Sequence, residues 1–169
     1  RQSTSMWLAR RSLTKAVDPG MLDNLVGGGV SAGLSVRDTV IKEAWEEAGI
    51  ACALAATAQP AGAVHVLRHL SDGLQRETVF VHDLDLSPDF RPVNQDGEAT
   101  EHRLVHLADA ARTIAVDSGS DEVTIDASLV VLDFLIRNGD IHRDQADFRA
   151  LDELRHRGAD DPALRSHRR

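Results

Sequence analysis

Residues Gly27 to Ile50 read GGGVSAGLSVRDTVIKEAWEEAGI. Three glycines open the stretch, a helix-forming run follows, and Gly49 stands where a left-handed residue would end that helix. Ser35 suits the N-cap, and Asp38 gives a capping-box-like start near the positive end of the helix dipole. Val36, Val40 and Ala44 recur at fourfold spacing with Ile41, Trp45 and Ala48 beside them, which predicts an apolar side packed on a sheet. At about 100° per residue, Glu43, Glu46 and Glu47 share roughly one third of the helix circumference. Carboxylates so crowded repel one another and destabilise an isolated helix. A hard divalent cation offsets that repulsion: Mg²⁺ takes oxygen ligands, keeps some of its water and is commonly shared with substrate phosphates.

This spacing resembles the Nudix box, G-x5-E-x7-R-E-U-x-E-E-x-G-U, in which U is aliphatic. Gly28 takes the place of the first glycine, Glu43, Glu46 and Glu47 those of the core glutamates, and Gly49-Ile50 closes the pattern. Leu34 stands where the pattern has its first glutamate, and Lys42 replaces its arginine. Lysine cannot grip a carboxylate through a bidentate fork, so Glu43 is expected to be held less rigidly. Over roughly residues 7 to 140 the chain also looks similar to a Nudix subgroup related to thiamine pyrophosphokinase. Arg10-Arg11-Ser12, Lys15, Pro19-Gly20, Leu22-Asp23-Asn24, Asp38, Lys42-Glu43 and Asn94-Gln95-Asp96-Gly97-Glu98 carry that resemblance. Both departures from the general box look like habits of this subgroup.

The resemblance implies an α/β fold: a Nudix α/β/α sandwich with a mixed, curved sheet between helices. It places a Nudix domain in residues 1–142, followed by a charged C-terminal helix and frayed tail in 143–169. It implies Mg²⁺, with Mn²⁺ able to substitute, held by Glu43, Glu46, Glu47 and a loop carbonyl, here assigned to Gly28. Such proteins commonly draw a further acid from outside the box. Glu98 is the leading candidate to complete the cluster or activate water, with Glu101 behind it, although an ordinary acidic loop would read similarly. The catalytic set expected is therefore Glu43, Glu46, Glu47 and Glu98. The implied reaction is hydrolysis of an organic diphosphate, thiamine diphosphate or a damaged analogue, to a monophosphate and phosphate. Two alternatives stand beside it: hydrolysis of a nucleotide sugar or other nucleoside diphosphate derivative, and a non-catalytic domain that binds a diphosphate ligand and regulates a partner.

Arg10, Arg11 and Lys15 form a short cationic stretch that reads equally as a solvated hairpin face or as a grip on substrate phosphates, to which guanidinium geometry is suited. Asn24 and Glu77 join them as candidate substrate-binding residues. Acidic residues number 27 against 19 basic, a net charge of −8, which argues against a nucleic-acid partner. Local arginines and a metal can still reverse the field within one cleft. Cys52 is the one cysteine of the 169 residues, so no internal disulfide forms and a reducing, cytoplasmic setting is expected. As a small hydrophobe at the helix exit, Cys52 is expected to be buried. No apolar run approaches the ~20 residues that span a bilayer. The chain starts at Arg1, and subgroup members carry a further N-terminal domain, so a longer parent protein is expected. Homodimers are common in the superfamily, although no residue here specifies an interface.

Elsewhere, Met6–Arg10 reads as a strand with Trp7 as its buried anchor, and Leu22–Val26 as a second feeding the glycines. Ala51–Pro60 is alanine-rich and reads as a strand continuing the core. Gly62–His69 and Glu77–Leu86 read as strands about a turn at Ser71-Asp72-Gly73, and Arg103–Leu107 as another. Ala108–Ile114 reads as a short helix. Val123–Asn138 reads as a longer one, with Ile125, Leu129, Leu132, Phe134, Leu135 and Ile136 as its apolar stripe. It should pack on the sheet face opposite the glutamate helix. Phe148, Leu151 and Leu154 mark a last helix before a frayed end.

Overall fold

The computed structural model describes residues 4–70, 73–115 and 121–156, with the backbone alone at His69 and Leu70. Its elements run β1 (Ser5–Arg11), β2 (Leu22–Asn24), α1 (Val36–Ala48), α2 (Cys52–Ala55), β3 (Gln59–Leu70), β4 (Gly73–Asp83), β5 (Ala99–His106), α3 (Leu107–Thr113), α4 (Ile125–Arg137) and α5 (Phe148–Leu154). β1 is the centre of a three-stranded antiparallel sheet, ordered β2-β1-β5, and β3 pairs with β4 in a second antiparallel sheet. Among the described residues, the parallel component of the expected mixed sheet is a bridge between Leu22 and Val123.

Neighbouring residues of a strand face opposite sides, and β1 uses both. On the Leu8 side, Leu8, Leu22, Val105, Leu107, Ala110, Val131 and Leu135 form one buried cluster, bringing α3 and α4 onto that face. Leu8, Leu22 and Leu135 are at most 2% exposed, and each such side chain contributes roughly 2 kcal/mol of transfer free energy. On the Ala9 side lies α1, whose Glu47 carbonyl is met by His102, the cross-strand partner of Ala9. Ala44, Ala48, Ile50 and Ala55 bury there against Leu25, Leu84, Leu86 and Phe90. The two long helices therefore sandwich the sheet, as the apolar stripes require.

α1 is capped as its sequence dictates. Ser35 Oγ accepts the Asp38 N–H at 3.1 Å and donates to Asp38 Oδ2 at 2.6 Å. Gly49 takes the left-handed conformation, φ +65°. A Cβ at Gly49 would also stand 3.0 Å from the Val93 carbonyl oxygen, so conformation and close approach both ask for glycine.

Several expectations need correction. Trp7 is only partly buried, and Leu8 and Ala9 anchor β1 instead. Trp45 is 50% exposed, because the buried stripe of α1 runs through Thr39, Ala44 and Ala48 rather than through its bulkiest residue. Ile125 is exposed in the first turn of α4, while Ala127 and Val131 are buried in its stripe. Cys52 is exposed, and Cys52–Ala55 forms a helical turn where a strand was expected. Ser71 and Asp72 of the expected turn, and residues 157–169 of the expected frayed end, lie outside the described residues. α5 forms as its spacing predicts, and Arg155 beyond it bonds Asp133 of α4 and Asp152, while its carbonyl accepts the His65 N–H at 3.1 Å. Among the described residues no helix is long and apolar enough to cross a membrane.

Candidate active site

The glycine run lies directly over the glutamate face of α1. Gly27 N–H donates to Glu47 Oε2 at 2.7 Å. Gly28 lies so near Glu43 that a Cβ there would stand 2.4 Å from the carboxyl carbon. Only a glycine backbone can come this close. Lys42, which replaces the arginine of the general pattern, bridges the remaining pair: its Nζ donates to Glu43 Oε1 at 3.0 Å and Glu46 Oε2 at 2.5 Å. Burial pushes the Glu47 carboxyl up to about 8; Glu43, Asp23 and Asp96 push the same way, against the Gly27 hydrogen bond.

A second segment is stitched to the C-terminal end of α1. Val93 N–H donates to the Ala48 carbonyl at 3.1 Å and Gln95 N–H to that of Glu46 at 2.7 Å. His102 Nε2 lies 3.2 Å from the Glu47 carbonyl, which can only accept, so this nitrogen carries the proton. Carbonyls left without intrahelical partners in the last turn are thereby satisfied. The segment is also braced within itself: Asn94 Oδ1 accepts the Gly97 N–H at 2.5 Å, and Asp96 Oδ1 accepts the Glu98 N–H at 2.9 Å. Asp96 and Glu98 are thus presented to the same cleft as Glu43 and Glu46.

That cleft is open and encloses about 400 Å³. Its acids are Glu43, Glu46, Asp96 and Glu98; its cations are Arg11, Lys15 and Lys42. Lys15 pairs with Glu98, and Arg11 Nη1 with Asp23 Oδ2 at 2.6 Å. Glu47 and Asn24 line a smaller recess that shares Arg11, Lys15, Gly27 and Glu98 with the cleft.

Arg10, Glu77 and Glu101 do not join this assembly. Arg10 precedes Arg11 and so faces the other side of β1. There its Nε donates to Glu101 Oε2 and its Nη2 to Asp121 Oδ1, both at 2.7 Å, and its Nη1 to the Gly20 carbonyl at 3.0 Å. Hydrogen bonds from Arg10 and Arg103 hold Glu101 below the usual carboxylate range, and those from Arg103 and Arg10 take Asp121 down to about 2. Glu77 is exposed on β4 and accepts from Gln75. Conversely, Asp23 and Asp96 enter the site although sequence reasoning gave neither a role. Both lie within the motifs quoted above, Leu22-Asp23-Asn24 and Asn94–Glu98, which was the signal available.

The profile of the NUDIX domain matches residues 1–126. The chain belongs to the NUDIX family. Two curated relatives, Nudix hydrolase 20, chloroplastic, and Nudix hydrolase 24, chloroplastic, both of Arabidopsis thaliana, are each 40% identical to it. The first alignment covers 85% of this chain and 37% of the relative, the second 79% and 36%. The NUDIX chain thus spans well under half the length of these relatives.

NUDIX proteins generally use a divalent metal, and the donor set here suits one. The facing groups are hard carboxylate oxygens, a glycine backbone cradles one of them, and an ammonium already bridges Glu43 and Glu46. Among the described residues no three acidic or imidazole groups already converge into a cage. Lys42 would have to yield its bridging place.

Proposed function

We propose that this chain hydrolyses an organic diphosphate to a monophosphate and phosphate, with thiamine diphosphate or a damaged analogue as substrate and Mg²⁺ as the metal. The observation that supports it most is the meeting, in one open cleft, of carboxylates, cations and an exposed glycine backbone. Carboxylates alone would repel a diphosphate, and cations alone would hold it without activating water. Glu43, Glu46, Glu47 and the Gly28 carbonyl would hold the metal. Bound there, a divalent cation neutralises diphosphate charge and polarises phosphorus toward attack by water.

The chain's own groups divide the remaining tasks. Arg11 and Lys15 grip phosphate oxygens, Arg11 through the N–H groups that Val17 and Asp23 leave over and Lys15 as a point charge. Asn24 flanks them in the recess. Glu98 accepts the proton of the attacking water as the oxygen–phosphorus bond forms and the P–O–P bridge breaks. Lys15 sits on Glu98 before substrate arrives and moves to phosphate when it binds. The substrate identity follows the subgroup resemblance, and the cytoplasmic setting follows the cysteine count; both are part of the proposal.

Phosphate release from a panel of diphosphates with Mg²⁺, comparing wild type with Glu46→Gln and Glu47→Gln, tests it. Preferred turnover of thiamine-type diphosphates, lost in both variants, is the expected result. Preference for nucleoside diphosphate derivatives would move the substrate class. Diphosphate binding without turnover would indicate a regulatory binding domain.

A further inference from the structure

The guanidinium of Arg11 is held at several points. Its Nη1 donates to Asp23 Oδ2 at 2.6 Å, while Nε and Nη2 donate to the Val17 carbonyl at 3.1 and 2.9 Å. Asp23 is held in turn: its Oδ1 accepts the Asn24 N–H at 2.8 Å and the Thr124 hydroxyl at 3.2 Å. Thr124 is buried and caps α4, its Oγ1 accepting the Ala127 N–H at 3.2 Å. A continuous set of bonds therefore runs from the start of α4 through Thr124 and Asp23 to a side chain lining the cleft. Arg11 and Asp23 are each 21% exposed at the side chain, so this pair is less screened than a surface ion pair.

We propose that Asp23 is a positioning residue that fixes Arg11 for the substrate's phosphates, and so sets affinity for the diphosphate rather than the rate of bond breaking. This rests on the diphosphate reading of the cleft. A carboxylate beside an anion site is repulsive on its own, so the favourable part of Asp23's effect is assigned to Arg11, the phosphate-gripping side chain it holds. Val17 and Asp23 take up part of the guanidinium fork, and the N–H groups left over are pre-aimed, so less side-chain freedom is lost when phosphate arrives. This indirect action gives the role a signature that plain structural support lacks: its effect changes when Arg11 is removed.

Calorimetric titration of imidodiphosphate with Mg²⁺ reads that signature without turnover. Asp23→Asn is expected to weaken binding about tenfold, and steady-state kinetics should show the loss in KM with kcat nearly kept. Asp23→Glu should regain part of the affinity. In an Arg11→Ala background, Asp23→Asn should leave binding unchanged or tighten it, because the repulsive charge is gone. If Asp23→Asn does not fold, Asp23→Glu serves in both backgrounds, with an intermediate loss that vanishes without Arg11. Equal losses in the two backgrounds, unchanged affinity in Asp23→Asn, or no imidodiphosphate binding by wild type would overturn the role. Preserved coupling in a protein that turns over no diphosphate would instead sink the hydrolase proposal and leave the role of Asp23 standing.

Discussion

A methyl group on Gly28 would lie 2.4 Å from the carboxyl carbon of Glu43. The backbone of Gly28 does not require left-handed geometry, so alanine is opposed by that contact and not by strain. Glu43 can swing aside, and the cost should fall on the site more than on the fold. Gly28→Ala is expected to lower kcat/KM about 100-fold, as small misplacements of reacting groups do, with little change in melting temperature. Steady-state kinetics beside a thermal melt check both halves.

The raised Glu47 carboxyl makes a prediction about pH. A carboxyl held near 8 keeps its proton in the folded chain where the unfolded chain, near 4.5, has lost it. The folded state then binds more protons than the unfolded one, so stability falls as pH rises between those values. Metal-free protein should therefore melt at progressively lower temperature between pH 5 and pH 8, and Glu47→Gln should flatten that slope. Parallel slopes for the two proteins in chelator would contradict the burial assigned to Glu47.

Adjacent arginines should fail in different ways. Arg11→Gln is expected to raise KM about tenfold, and because it also breaks bonds to Asp23 and the Val17 carbonyl it should cost stability on the same scale as Arg10→Gln. Arg10→Gln breaks hydrogen bonds to Glu101, Asp121 and Gly20 on the far face of the strand. It should lower stability by about 1–2 kcal/mol, since the carboxylates are partly screened by solvent, and leave KM alone. Urea denaturation and kinetics on both variants separate the outcomes.

How far the chain could be read depended on how local each signal was. Caps at Ser35 and Gly49 and the glutamate spacing are written within one helix, and the structure forms them as read. The bond between Arg10 and Asp121 joins residues 111 positions apart, and no local pattern marks it. Arg10 and Arg11 look alike in a cationic stretch; strand alternation sends them to opposite faces, and only the pairing of β1 shows which face is the cleft. Trp45 was misplaced for a related reason. Bulk suggested burial, but the small Ala44 and Ala48 allow the close helix packing, and Trp45 is turned outward. The Asn94–Glu98 motif marks Asp96, but its place in the cleft depends on docking that loop on the last turn of α1, which backbone bonds set and the motif alone does not show.

Asp133 is nearly buried on α4, where Arg137 Nε donates to it at 2.6 Å and Arg155 bonds its other oxygen. Removing it takes one carboxylate partner from each arginine, while Arg137 keeps Asp83 and Arg155 keeps Asp152. Asp133→Ala should cost about 2 kcal/mol, the loss of charge-assisted hydrogen bonds to arginines that each keep a second partner, and loosen α5, seen as faster amide exchange over residues 148–155, with KM for diphosphates unchanged. Unaltered exchange there would show that Arg155 does not tether this helix.

On this reading the acid face of α1 and the Gly28 carbonyl together hold a divalent cation. An anomalous difference map from crystals grown with Mn²⁺ and imidodiphosphate reads that site. A manganese peak is expected bonded to oxygens of Glu43, Glu46, Glu47 and Gly28, with Lys42 displaced from between Glu43 and Glu46. A map with no peak at that face, or manganese held elsewhere while Lys42 keeps both carboxylates, would contradict it.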